Sequence, residues 1–130
     1  RLLEDSYFEV RVAALNHLSL TLSDDDYPDF SDLVRKRLRR GGVEECLAAM
    51  ELVASHGGKE DLDYMEPFFL HPNSRIREGL LELFRAFHRR SRISGEEVKE
   101  LISRVLITSN NLQPEFRLKA LIRRIYEEID

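Results

Sequence analysis

The chain is 130 residues long, about one domain by the usual size prior, and a chain of that length buries roughly two-thirds of its unfolded surface. Hydrophobic residues make up 42% and charged residues 34%, a globular rather than a disordered composition. The net charge of −4 argues against a generic nucleic-acid binder, and no apolar run reaches the ~18 residues of a membrane span.

Helices alternate with short turns along the whole chain. Arg1-Leu2-Leu3-Glu4 reads like the end of a helix, so the chain is expected to be a fragment of a longer protein. Ser6 and Glu9 have capping-box spacing and open a helix to about Leu22 through Val10, Ala14, Leu15 and Leu18. Ser23-Asp24-Asp25-Asp26 is an acidic turn, and Pro28 suits the first turn of the next helix. That helix carries Phe30, Leu33, Val34 and Leu38 and stops at Gly41-Gly42. Another runs from Val43 to about Ser55 and stops at Gly57-Gly58; Leu62, Met65, Phe68 and Phe69 mark a short helix that Pro67 should kink or break.

The most regular stretch follows. His71-Pro72-Asn73-Ser74 is turn composition, with Asn73 or Ser74 placed to accept from the first free amides of a helix. Ile76, Leu80, Leu83, Phe84 and Phe87 then form one stripe at 3.6-residue periodicity. Ser94 with Glu97 is a second capping box, opening a helix on Val98, Leu101, Ile102 and Val105. Asn111–Pro114 is a turn, and the last helix runs from about Glu115 to Glu128 on Leu118, Leu121, Ile122 and Ile125, with Tyr126-Glu127-Glu128 expected to face water. No segment alternates at period two, so the chain is predicted to be all-α.

Aligning the helices on Val10, Val43, Ile76 and Phe116 exposes a repeat with spacings of 33, 33 and 40 residues, a period of helical-hairpin solenoids. Arginine follows in three of the four (Arg11, Arg77, Arg117), and six residues before each stands a turn residue, Asp5, His71 or Asn111. The stretches DSYFEVRVAALNHL, HPNSRIREGLLELF and NLQPEFRLKALIRR resemble HEAT repeats of the armadillo-like superfamily. The resemblance implies an α-α superhelix of about three and a half antiparallel hairpins, one domain over residues 1–130 with units near 1–22, 26–56, 60–91 and 94–129. It also implies ladders of hydrogen bonds between a turn aspartate and the arginine. Asp5 and Arg11 match both ladder positions; Arg77 and Arg117 match with His71 and Asn111 in place of the aspartate; Leu38 and Glu44 break the pattern in the second unit. Such arrays are mostly scaffolds and adaptors, so the expected function is a non-catalytic protein-interaction module. The alternative is a regulatory or ligand-binding domain of a lyase- or hydroxylase-type enzyme.

Residues that could carry chemistry favour the first reading. Cys46, the sole cysteine, lies on an apolar stripe, reads as core filler, and permits no intrachain disulfide, which fits a cytoplasmic protein. His17, His56, His71 and His88 lack metal-ligand spacing, and the His-Glu dipeptides of iron-binding HEAT hydroxylases are absent. Gly57-Gly58-Lys59-Glu60 lacks the Ser or Thr of a phosphate loop, and Asp24–Asp26 has too few spaced oxygens for a calcium loop. No catalytic residue, cofactor or metal is therefore expected.

The basic residues remain. Arginine accounts for 16 of the 20, which favours bidentate recognition of carboxylate or phosphate. One cluster, Arg35, Lys36, Arg37, Arg39 and Arg40, ends a helix whose direction is opposite to that of the repeat's second helices. Second helices of stacked hairpins run parallel, so Arg85, Arg89, Arg90 and Arg92 should share an edge with Arg123 and Arg124. That edge is the candidate surface for an acidic segment of another protein.

Overall fold

The computed structural model describes residues 2–108 and 116–129. They contain six α-helices: α1 (Phe8–Thr21), α2 (Tyr27–Arg40), α3 (Val43–His56), α4 (Ser74–Arg89), α5 (Gly95–Thr108) and α6 (Phe116–Ile129). A short 3₁₀ turn, Leu2–Glu4, precedes α1, and a longer 3₁₀ segment, Lys59–Leu70, joins α3 to α4. The all-α arrangement of helical hairpins expected from the periodicity is present. The chain forms two compact units, Arg1–Asp61 and Leu62–Asp130.

In the first unit α3 lies between α1 and α2. Its small residues Ala48 and Ala49 and its larger Met50, Leu52 and Val53 are all buried, which a helix packed on two sides requires. Arg11 meets Glu45 and Ser19 meets Ser55, so α1 and α3 run parallel. Arg37 meets Glu45 while Arg35 meets Asp61, so α2 runs against α3. At the far end His56 lies 2.8 Å from Asp24 Oδ1 and 2.9 Å from the Ser19 carbonyl, tying the acidic turn to the end of α3.

In the second unit α4 packs against both α5 and α6. The stripe Ile76, Leu80, Leu83, Phe84 and Phe87 is buried throughout, joined by Leu81. Asn73 caps α4 by accepting from Arg75 N–H at 2.8 Å. Ser94 and Glu97 form the expected reciprocal box, Ser94 Oγ accepting from Glu97 N–H at 3.1 Å and Glu97 Oε1 from Ser94 N–H at 3.0 Å. The Gly95 end of α5 abuts Ile129 at the end of α6, so α5 runs against α6.

Two sequence expectations are corrected. Ser6 and Glu9 form no capping box: α1 starts at Phe8 after an uncapped Tyr7, because Asp5 Oδ1 takes the Tyr7 N–H at 2.9 Å and makes the turn itself. Pro67 does not break the segment it lies in: Lys59–Leu70 continues through it, as a 3₁₀ rather than an α-helix. Leu62, Met65 and Phe68 recur at three-residue spacing, which a 3₁₀ helix stacks on one face. Helices α2 and α3 stop at Gly41 and Gly57 as expected, and without left-handed backbone, because both glycines sit at φ −78°. Space decides there. A Cβ on Gly41 would stand 2.7 Å from the Arg37 carbonyl and 2.8 Å from the Glu45 side chain, and one on Gly57 2.5 Å from Asp61 Oδ2.

Candidate functional site

The repeat positions resolve into a common local device. Asp5 Oδ1 accepts from the N–H two residues on, and His71 Nδ1 does the same from Asn73 N–H at 3.1 Å. Arg11 Nη1 donates to the Asp5 carbonyl at 2.6 Å, and Arg77 Nη1 to the His71 carbonyl at 2.8 Å. The arginine six residues on therefore reads a backbone carbonyl rather than a carboxylate, which is why histidine serves where aspartate does. The turn at Asn111 lies outside the described residues, as does the side chain of Arg117.

The arginine of the first unit also reaches across to α3, where Nε and Nη2 grip the two oxygens of Glu45 at 2.8 and 3.0 Å. Arg37 Nη1 completes the set at 3.1 Å. Burial alone would push the Glu45 pKa up, but the bonds and charge of Arg11, then Arg37, outweigh it and hold the carboxyl below its ordinary range. Sixteen residues further on the pattern returns. Asp61, fully buried, accepts from Arg35 Nε at 2.9 Å and from Gly58 N–H at 3.0 Å. Burial first, then the Asp61 carboxylate, push the pKa of the enclosed Tyr27 hydroxyl upward. Much of the Arg35–Arg40 cluster is thus internal: Arg35 and Arg37 tie α2 to the two turns, Lys36 lies 3.8 Å from Glu4, and Arg39 and Arg40 are exposed.

The candidate edge lies in the second unit. Arg85 and Arg89 stand one turn apart on α4 and converge on Glu128 of α6. Arg85 Nε donates to Oε2 at 2.8 Å; Arg89 donates to Oε1 from Nε at 2.5 Å and to Oε2 from Nη2 at 3.1 Å. The ends of α4 and α6 do share an edge, and Arg124 stands one turn before Glu128 on the same face of α6. Arg123 and Arg124 are exposed; Arg90 lies half-buried with its guanidinium 6.0 Å from the Phe87 ring; Arg92 is exposed just after Ser91, whose φ of 59° turns the chain out of α4. Of Tyr126–Glu128, expected to face water, Glu127 and Glu128 are exposed and Tyr126 is half-buried with Lys99 5.9 Å from its ring, and the exposed Glu128 is the hub of the arginine pair.

Hydrogen bonds from Arg89, then Arg85, lower the Glu128 pKa to about 2. A carboxyl-carbon NMR titration should therefore place the Glu128 midpoint near 2, against about 4.3 for a free glutamate. Arg89→Ala should move it back toward that value. A midpoint unchanged by Arg89→Ala would mean that the pair is not formed in solution.

The remaining chemical candidates are structural. Cys46 is buried on α3, and burial pushes its thiol up to about 11, away from the thiolate that attacks. A thiol reagent should label the native protein at a rate limited by unfolding and label it at once in denaturant; rapid labelling of folded protein would contradict the burial. Among the described residues no three His, Cys, Asp or Glu side chains converge as metal ligands, and no helix is long and apolar enough to cross a membrane. Sequence reasoning missed Glu45, Asp61 and Glu128. The first two carried a signal, since Gly41-Gly42-Val43-Glu44-Glu45 and Gly57-Gly58-Lys59-Glu60-Asp61 share a Gly-Gly-x-Glu-acid pattern. Compared with protein-family models, with curated proteins and with solved structures, the chain matches none.

Proposed function

We propose that this chain is a non-catalytic protein-interaction module, a cytoplasmic scaffold or adaptor built of HEAT-like hairpins, and that the α4–α6 edge receives an acidic segment of a partner. The observation that supports this reading is the arginine pair around Glu128: Arg85 and Arg89 are spaced and oriented to hold a carboxylate between two forks. Exposed Arg123 and Arg124 extend the positive surface along α6. The test compares partner capture by wild type and by Arg89→Glu combined with Arg123→Glu. Capture should be abolished in the double variant and reduced by Arg123→Glu alone, which touches no bond to Glu128 and leaves the melting temperature unchanged. Undiminished capture by both would make the edge ordinary solvated surface.

A further inference from the structure

The apolar residues of helix α1, Val10, Val12, Ala13, Leu15, Leu18 and Leu20 among them, are spread around its circumference rather than gathered in one stripe. One side, with Leu15, is buried. The other forms the wall of an open groove of about 560 Å³ between α1, α2 and the first 3₁₀ turn. Its lining is apolar except for Glu9 and His17, which lie at equal distances in sequence on either side of Ala13.

That symmetry names an occupant. Glu9, Ala13 and His17 recur every fourth residue and therefore stand on one face of α1. Turned by a two-fold axis through Ala13, an antiparallel copy of α1 places its His17 against Glu9 and its Glu9 against His17. The small alanine at the crossing lets the two backbones approach closely, and the isologous contact closes on itself. Leu20, 84% exposed and the most exposed large apolar side chain among the described residues, is carried by the same operation to the N-terminal end of α1, the end at which Leu2 and Leu3 precede the helix and line the groove. A protruding leucine and an apolar groove thus meet twice.

We propose that α1 is a self-association surface on which a second copy of this chain packs antiparallel, with reciprocal Glu9–His17 contacts about Ala13. The proposal does not depend on the arginine edge of the second unit. Sedimentation velocity over a hundredfold concentration range up to about 1 mM, the limit of weak association, should show a monomer–dimer equilibrium at neutral pH. Ala13→Arg should eliminate the dimer while helical circular dichroism stays unchanged, because position 13 is exposed. Glu9→Lys and His17→Glu should each weaken association at least tenfold, and the Glu9→Lys, His17→Glu double variant should restore it by exchanging the partners. A wild-type chain that stays monomeric throughout, a dimer indifferent to Ala13→Arg, or a double variant no better than either single one would overturn the proposal.

Discussion

Replacing Phe84 by alanine is expected to cost about 3–5 kcal/mol, measured by chemical denaturation, the range for deleting a fully buried aromatic ring. Phe84 has no exposed surface and meets Phe69 edge-on, with ring centroids 6.4 Å apart. The cavity cannot relax easily, because Leu80, Leu81, Leu83 and Phe87 around it belong to the same helix and are themselves buried. Hydrogen exchange should show protection lost first within Leu62–Asp130, the compact unit that contains the ring. Phe84→Leu, which keeps most of the volume, should cost markedly less. An unchanged denaturation midpoint for Phe84→Ala would show that the stripe does not pack as described.

Glu45→Gln is the second large effect, roughly 2–3 kcal/mol. Removing one member of a buried ion pair costs about 3–5 kcal/mol because the other charge is left desolvated. The lower figure applies here because the Arg11 and Arg37 side chains are 18% and 11% exposed, so each keeps a path to water. The pH dependence follows from the direction of the Glu45 shift. The folded pKa lies below the unfolded one, so the stabilisation is fully present above about 4.3 and is lost as pH falls through the lower folded value. Melting temperatures from pH 7 down to pH 2 should therefore fall on the acid side for wild type and fall less for Glu45→Gln. Parallel curves for the two proteins would mean that the carboxylate contributes nothing in its ionised form.

The apolar pattern was legible because it is local. A helix buries a stripe whose period is set by its own geometry, so Ile76 through Phe87 could be placed in a core without knowledge of their neighbours. The same holds for the caps at Asn73 and Ser94, whose donors lie two or three residues away. The Ser6 cap failed through an equally local competitor, because Asp5 reaches the turn first. Likewise, the arginine six residues after the turn was visible in the sequence as a recurrence, although the group it bonds was not.

The sequence by itself determined where the α-helices of the described residues lie, the buried stripe of α4 and the spacing of the repeat, since each follows from interactions within a few residues. Only the tertiary structure decided what the charges do. A carboxylate's role depends on which guanidinium arrives from another element, and Glu45, Asp61 and Glu128 meet arginines 8 to 43 residues away. It also decided that Gly41 and Gly57 provide room rather than left-handed backbone, because the Glu45 and Asp61 side chains approach them more closely than a Cβ would allow.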